Sequence, residues 1–377
     1  MGPMHPLREF TEADLRHRTS VKWSQYPEDV LPLWIAEMDA RPPAAVSEAL
    51  GELVARGDAG YGVVGPYREA FAEFARRRWQ WAVTDDAVIE VADVLTGLAT
   101  AIRLVTEPGA AVVVNPPVYP PFYEVIEWAG RRVETAPLGR DGRLDLDRLD
   151  EVLAGLGPGA AHLLCSPHNP TGAVHTRDEL EAVARISAER GARVVVDEIH
   201  APLVPHGFVP YLAVRGSASA FVATSASKAF NLAGLKAGLL IAGADAVHEL
   251  AAIPPVVTFG ASQFGLVAQT AALTDGDAWL DAVVADLTEN RRLLRELLDE
   301  HLPDVGWAGG DGCYLAWLDF GGLFGDDPAA PILERGRVAL SSGLSFGPGG
   351  ERHARLNYAT TPELLERAVR GIARIRR

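Results

Sequence analysis

Short apolar runs alternating with amphipathic stretches constrain this chain more than any other feature. Ala110 to Asn115, His162 to Cys165, Arg193 to Val196, Phe221 to Thr224 and Gly238 to Ala242 read as buried strands. Between them, Thr176 to Arg190 carries helical periodicity, with Leu180, Val183, Ala184 and Ile186 on one stripe. Strands alternating with helices predict an α/β fold, a mainly parallel sheet covered on both faces. After about residue 275 the pattern changes. Trp279 to Leu302 reads as a long helix, with Leu287, Leu294, Leu297 and Leu298 on its apolar side. Short strands around Cys313 to Asp319, a Gly-rich stretch from Ser341 to Gly350 and a final helix from Pro362 to Arg376 then predict a smaller α+β lobe. The acidic, Gly/Pro-rich loop Gly321 to Pro331 is expected to be exposed. A chain of 377 residues is long enough for two such lobes.

Charge and cysteine content narrow the function classes. The net charge of −15 disfavours non-specific binding to nucleic acid or to anionic membranes, while leaving room for a local basic pocket. Two cysteines, Cys165 and Cys313, are too few for a disulfide framework. No apolar run reaches the roughly 18 residues of a membrane span. Charges scattered from Arg8 to Lys22 do not form a basic-then-apolar signal pattern. The expectation is a cytoplasmic protein with no membrane and no nucleic-acid partner.

One stretch carries chemistry: Thr224-Ser225-Ala226-Ser227-Lys228-Ala229-Phe230-Asn231-Leu232-Ala233-Gly234-Leu235-Lys236. A lysine amine among small hydroxyl residues can hold an aldehyde cofactor as a Schiff base. Upstream, Arg193-Val194-Val195-Val196-Asp197 ends a strand in an aspartate that can pair with a pyridine nitrogen. Lys236 competes with Lys228 for the amine role, and a strand, a turn and a surface lysine would look much the same. Asp197-Glu198-Ile199-His200 and the distant His168 supply residue types that also bind metals, but no two-histidine helical spacing accompanies them. Thr96-Gly97-Leu98-Ala99-Thr100 precedes the apolar helical stretch Ala101 to Val105. A helix starting there would aim N–H groups at an anion.

Ser166-Pro167-His168-Asn169-Pro170-Thr171-Gly172, Asp197-Glu198-Ile199-His200, Ser225-Ala226-Ser227-Lys228 and Arg355-Leu356-Asn357-Tyr358-Ala359 occur in this order. Over nearly its whole length the chain thereby resembles the fold type I pyridoxal phosphate (PLP) enzymes of the class I/II aminotransferase superfamily. Ser20-Val21-Lys22-Trp23, Leu33-Trp34-Ile35-Ala36-Glu37-Met38-Asp39 and a histidine three residues beyond Asp197 make it most similar to the cystathionine β-lyase-like C–S lyases of the MalY/PatB type. The resemblance implies a seven-stranded central sheet in a large PLP domain (46–274), a small C-terminal domain (275–377), and an N-terminal segment (1–45) packing with the small domain.

The resemblance also implies roles. Lys228 would form the internal imine and then remove the substrate Cα proton. Asp197 would keep the pyridine nitrogen protonated, and Asn169 and His200 would contact the ring hydroxyl. Tyr119 would stack on the ring, with Tyr123 as its rival. Gly97, Leu98, Ala99, Ser225 and Lys236 would hold the phosphate, joined by Tyr61 from the neighbouring subunit of a homodimer with shared sites. Arg355 would grip the α-carboxylate of an amino-acid substrate with two parallel hydrogen bonds. Ala36 would lie in the substrate loop. His200 could instead be a core histidine, and Tyr61 a turn residue in Gly60-Tyr61-Gly62. Cys313 either approaches the substrate or fills a small core site. The implied reaction is β-elimination from L-cystathionine or another L-cysteine S-conjugate, giving a thiol, pyruvate and ammonia. Transamination of an L-amino acid is the alternative. A regulator retaining the cofactor as a relic is a third reading, opposed by the intact Lys228, Asp197 and Arg355.

Overall fold

The computed structural model describes residues 4–376. Seven strands form the central sheet: β1 (Val88–Val91), β2 (Ala111–Val114), β3 (Arg132–Thr135), β4 (Ala161–Cys165), β5 (Arg193–Asp197), β6 (Phe221–Thr224) and β7 (Gly238–Ala242). Their spatial order is β1-β7-β6-β5-β4-β2-β3. Only β7 is reversed, antiparallel to β1 and β6, and the other pairs are parallel.

The apolar runs are continuous because both faces of the sheet are covered. Along β5, Val195 joins the core under helices Val94–Val105 and Pro121–Trp128. Val194 and Val196 point the other way, toward helices Leu146–Leu156 and Arg177–Glu189. The period-two alternation of a strand thus feeds two cores from one uninterrupted run. The helix expected over 176–190 is bounded by a capping box between Thr176 and Glu179.

The sequence pattern does not reveal β1 and β3. β1 is four residues long and contains Glu90, whose buried carboxylate accepts the Gly65 N–H at 2.6 Å. β3 is an edge strand with an exposed arginine and half-buried neighbours, so it carries no apolar run.

Beyond the sheet, helices Gln263–Asp275 and Asp277–His301 lead into a three-stranded antiparallel sheet. Its order is Ser341–Ser342, His353–Asn357, Leu315–Asp319. Helix Pro362–Arg374 follows. Leu31–Pro32 pairs in parallel with Val338–Ala339, stitching the N-terminal segment to the C-terminal part of the chain. The loop 321–331 differs from expectation: Pro328 and Ala329 are buried, because the chain turns inward into a short helical turn there. Among the described residues no helix is long and apolar enough to cross a membrane.

Candidate active site

The strands of an open α/β sheet leave a crevice at their carboxyl ends. Here Cys165 ends β4 opposite Asp197, which ends β5, and Asp197 lies opposite Ala223 in β6. Thr224 pairs with Leu239 of the reversed β7. A cavity of about 200 Å³ opens at this edge. It is lined by Lys228, Asp197, Asn169, His200, Tyr119, Ser225, Lys236, Arg355 and Ala36, among others. Residues spread over more than 300 positions of sequence therefore meet in one place.

Lys228 follows β6 on a turn, and its Nζ donates to the Ala36 carbonyl at 2.9 Å. Burial, and then the positive Arg355 beside it, lower the amine from its usual 10.5 to about 8. Asp197 is buried, and its Oδ1 accepts the Ile199 N–H at 2.9 Å. Burial raises its carboxyl to about 6 against that hydrogen bond and the nearby Lys228. His200 is buried too, with its ring edge-on to Tyr314 at 5.9 Å. Burial, then the positive Lys228 and Arg355, lower it to about 3, so the imidazole is neutral, and its Nδ1 has no partner. Burial pushes the Tyr119 hydroxyl up to about 12.

Arg355 comes from the middle of strand His353–Asn357 and is 6 % exposed. Its Nη1 donates to Asn169 Oδ1 at 3.0 Å, and its Nη2 to the Trp34 carbonyl at 3.1 Å and Ser341 Oγ at 3.2 Å. Nε has no partner. Among the described residues no carboxylate lies within ion-pair distance of this guanidinium. A buried charge left without a counter-ion is costly unless a ligand supplies one.

The other end of the cavity corrects an expectation. The helix there begins at Val94, capped by Asp93, whose side chain accepts the Thr96 N–H at 2.9 Å. Gly97 N–H is already bonded to the Asp93 carbonyl at 3.0 Å, and Leu98 and Ala99 lie a turn inside, fully buried. Gly97, Leu98 and Ala99 do not line the cavity; Asp93, Val94 and Leu95 do. Gly97 serves packing instead, since a Cβ there would sit 3.3 Å from Val91 Cγ2 and 3.4 Å from Ala223 Cβ. The missed signal was Asp93 itself, an N-cap aspartate just before an apolar periodic run. Lys236 Nζ is paired with Asp93 Oδ2 at 3.1 Å.

Gln269 was also missed, because a lone glutamine inside a helix has no signature. It is fully buried, and its Oε1 faces Tyr67 Oη (2.6 Å), Ser225 Oγ (2.8 Å) and the Ala226 N–H (3.0 Å). Its Nε2 donates to the carbonyls of Leu235 (3.0 Å) and Ala237 (2.9 Å). One amide thus ties the start of the Lys228 turn to the loop around Lys236.

Three further expectations concern residues outside the cavity. Tyr123 donates its hydroxyl to the Phe346 carbonyl at 3.0 Å and does not line the cavity, whereas Tyr119 does. Cys313 is buried beside Leu315, with its thiol raised by burial to about 11, and lies outside the cavity wall. Tyr61 is 93 % exposed and does not line the cavity of its own chain.

Comparison with known proteins agrees with this geometry. The profile of the family described as aminotransferase class I and II matches residues 28–372. The chain belongs to this family. A Mycobacterium tuberculosis (strain H37Rv) protein, provisionally named a cystathionine beta-lyase, is 48 % identical over 400 residues, covering 98 % of each chain. The cystathionine beta-lyase of Corynebacterium glutamicum is 34 % identical, over 96 % of this chain and 98 % of that protein. Among solved structures, a Corynebacterium diphtheriae protein, provisionally described as a PLP-dependent beta-cystathionase, superposes with a TM-score of 0.91 at 32 % identity. That match covers 99 % of this chain and 98 % of the other.

Proposed function

We propose that this protein is a PLP-dependent carbon–sulfur β-lyase that cleaves L-cystathionine or another L-cysteine S-conjugate to a thiol, pyruvate and ammonia. The observation that carries the reading is the buried Arg355, without a counter-ion, in the same cavity as Lys228 and Asp197. An amine, a strand-end carboxylate and a free guanidinium are what a pyridine aldehyde and an amino-acid carboxylate require together. The relatives named cystathionine beta-lyase favour elimination over transamination.

The cavity residues fit the cofactor. Asp197 is a buried carboxylate whose charge a protonated pyridine nitrogen would balance. His200, whose Nδ1 has no partner among the described residues, and Asn169 would contact the ring hydroxyl, and Tyr119 would stack on the ring. Ser225, Lys236 and the first-turn N–H groups of Val94 and Leu95 suit the phosphate, because a helix leaves those N–H groups without internal acceptors. Bound there, PLP supplies the sink for the electron pair left on Cα. Lys228 would hold the aldehyde, and its amine is the base that would take the Cα proton. With its amine lowered to about 8, it loses and regains a proton near neutrality. Arg355 would fix the substrate carboxylate and so orient the substrate in the cavity.

A homodimer with shared sites belongs to the same reading. Tyr61 (93 %), Val63 (65 %), Val256 (78 %) and Phe259 (69 %) are strongly exposed. Their segments touch through the Val63 N–H on Gln263 Oε1 at 3.3 Å, and Gly260 lies against Ala92, next to Asp93. Exposed apolar side chains on these neighbouring segments support coverage by a second copy that would bring Tyr61 to the phosphate. The division at 45/46 and 274/275 and cytoplasmic residence are further parts of the reading. The parallel pairing of Leu31–Pro32 with Val338–Ala339 supports the former, and two buried free thiols, Cys165 and Cys313, fit a reducing compartment.

The test is turnover without a keto acid. Incubated with L-cystathionine or an S-alkyl-L-cysteine, the holoenzyme should release thiol and pyruvate over many cycles. A halt after about one turnover, relieved by adding a keto acid, is ping-pong behaviour and would reassign the protein as an aminotransferase.

A further inference from the structure

Of two sequence motifs near the N-terminus, Ser20-Val21-Lys22-Trp23 and Leu33-Trp34-Ile35-Ala36-Glu37-Met38-Asp39, only Trp34 and Ala36 have entered the site described so far. In the fold the two motifs are halves of one assembly. Lys22 and Asp39 both have side chains with 0 % exposure, and Lys22 Nζ lies 2.8 Å from Asp39 Oδ2. The angle is outside hydrogen-bonding geometry, so this contact is a charge pair. Asp39 Oδ1 accepts the Trp23 indole N–H at 2.8 Å, and Lys22 Nζ donates to the Glu37 carbonyl at 3.0 Å. Ser20 Oγ donates to the Glu37 carboxylate.

The loop held this way, residues 33–40, has no regular secondary structure, and backbone bonds to other segments tie its ends, at Leu33 (to Ala339 and Asn357) and at Asp39 (to Ala359). It acts as a row of carbonyl acceptors. The Trp34 carbonyl accepts from Arg355 Nη2 at 3.1 Å. The Ala36 carbonyl accepts from Lys228 Nζ at 2.9 Å and from the Tyr314 hydroxyl at 3.1 Å. Between and beyond them, the Ile35 and Glu37 carbonyls accept from Asn357 Nδ2, each at 2.7 Å. The Met38 and Ala40 carbonyls accept from Asn231 Nδ2 at 2.9 and 3.1 Å. Alternate carbonyls of one short segment therefore meet the two cations on which the proposed chemistry depends. A buried ion pair adds little net stability over apolar residues of the same volume, but it enforces one arrangement, because a shift of either partner strands a charge.

We propose that the Lys22–Asp39 clasp is a positioning device that fixes the loop so that the Trp34 and Ala36 carbonyls meet Arg355 and Lys228. Lys22, Trp23 and Asp39 do not line the cavity; they act through the loop. The inference rests on the assignment of Lys228 and Arg355 above. The groups that bear on the Lys228 charge are Arg355, Asp197, Glu37 and Lys236. Of these only Glu37 is held by the clasp, through its carbonyl on Lys22 Nζ, so a change at the clasp reaches Lys228 through the Ala36 carbonyl and the Glu37 carboxylate, and loosening either lowers the midpoint.

The experiment compares wild type, Trp23→Phe and the triple variant Lys22→Met/Trp23→Phe/Asp39→Leu, which replaces the buried pair with apolar groups; Arg18, 3.9 Å from Asp39, keeps its bonds to the Met38 and Ala40 carbonyls. In the cofactor-free proteins, the pH midpoint of Lys228 arylation by fluorodinitrobenzene is followed by mass spectrometry of its peptide. In the holoenzymes, KM and kcat for L-cystathionine are measured, with thermal unfolding alongside. The triple variant should keep its unfolding midpoint, while the Lys228 midpoint falls by about one pH unit, because an acceptor that favours the charged amine is lost. KM should rise about tenfold or more as Arg355 loses its anchor. Trp23→Phe should move both readouts the same way by less. A folded triple variant with wild-type midpoint and KM overturns the proposal. If the triple variant does not fold, an unchanged Lys228 midpoint in Trp23→Phe overturns it. A wild-type protein in which Lys228 is neither labelled nor needed for turnover refutes the lyase reading instead, and is told apart by that control.

Discussion

Lys228 titrates at a pH set by neighbours whose effects oppose one another. Burial and Arg355 lower its amine to about 8, while Asp197 and Glu37 raise it. Only the neutral amine condenses with an aldehyde, so capture of added PLP by the cofactor-free protein should accelerate as pH rises through about 8 and then level off. Stopped-flow absorbance follows this directly. Removing a positive neighbour favours the charged amine, so Arg355→Ala should move the midpoint to higher pH. Removing a negative neighbour does the reverse, so Asp197→Ala should move it lower. Shifts in the same direction in both variants would refute the charge argument. Arg355→Lys keeps the charge but loses the planar fork, and steady-state kinetics should show KM raised roughly 10- to 100-fold from the loss of charge-assisted hydrogen bonding worth about 1.5–3 kcal/mol.

At the scale of elements, the anion end of the cavity depends on how closely one helix sits on one strand. Gly238 begins β7, and a Cβ there would lie 3.1 Å from the Asp93 carbonyl carbon and 3.2 Å from the Val94 nitrogen. Both are backbone atoms at the start of the helix, so neither can swing aside. Gly238→Ala should lift the N-terminus of helix Val94–Val105 off the strand, at a cost of about 1–3 kcal/mol from overpacking. Calorimetry should record a lowered unfolding midpoint, and fluorescence titration a weaker affinity for PLP. The affinity for pyridoxal, which lacks the phosphate, should change less. Equal losses for both ligands would place the effect elsewhere in the site.

The whole molecule adds a surface that one chain leaves open. Tyr61 is nearly fully exposed, in a segment with Val63 and Val64 that packs beside Ala261 and Leu266. If Tyr61 serves the partner's site, a Tyr61→Phe subunit and a Lys228→Ala subunit each lack something the other supplies. Hybrid dimers of the two would contain one site with both residues intact. Mixing the inactive Lys228→Ala protein with the impaired Tyr61→Phe protein should therefore raise specific activity above the average of the two. Sedimentation should show a dimer at working concentration. A monomer with full activity would exclude the shared site.

The sequence by itself determined the architecture and singled out residues that the fold gathers around one cavity. Uninterrupted Val, Ile, Leu and Ala runs can only be strands covered on both faces, and five of the seven strands announced themselves that way. Lys228, Asp197, Asn169 and Arg355 stood out because their neighbours repeat the ordered motifs of a family. Local pattern was silent where the determining contacts are distant or polar. β3 is a half-exposed edge, and β1 carries a buried glutamate whose partner is 25 residues away. The start of the helix at Val94, rather than beside Gly97, is decided by the Asp93 cap and by Gly238 pressed against it. Gln269 joins two loops through five polar contacts, and nothing in its own segment hints at them. Lys22 and Asp39 read as members of two separate motifs, and only the folded chain makes them one buried pair beneath the loop that meets Lys228 and Arg355. A period or a cap is written in adjacent residues, whereas a partner brought by the fold from elsewhere in the chain exists only once the tertiary structure has formed.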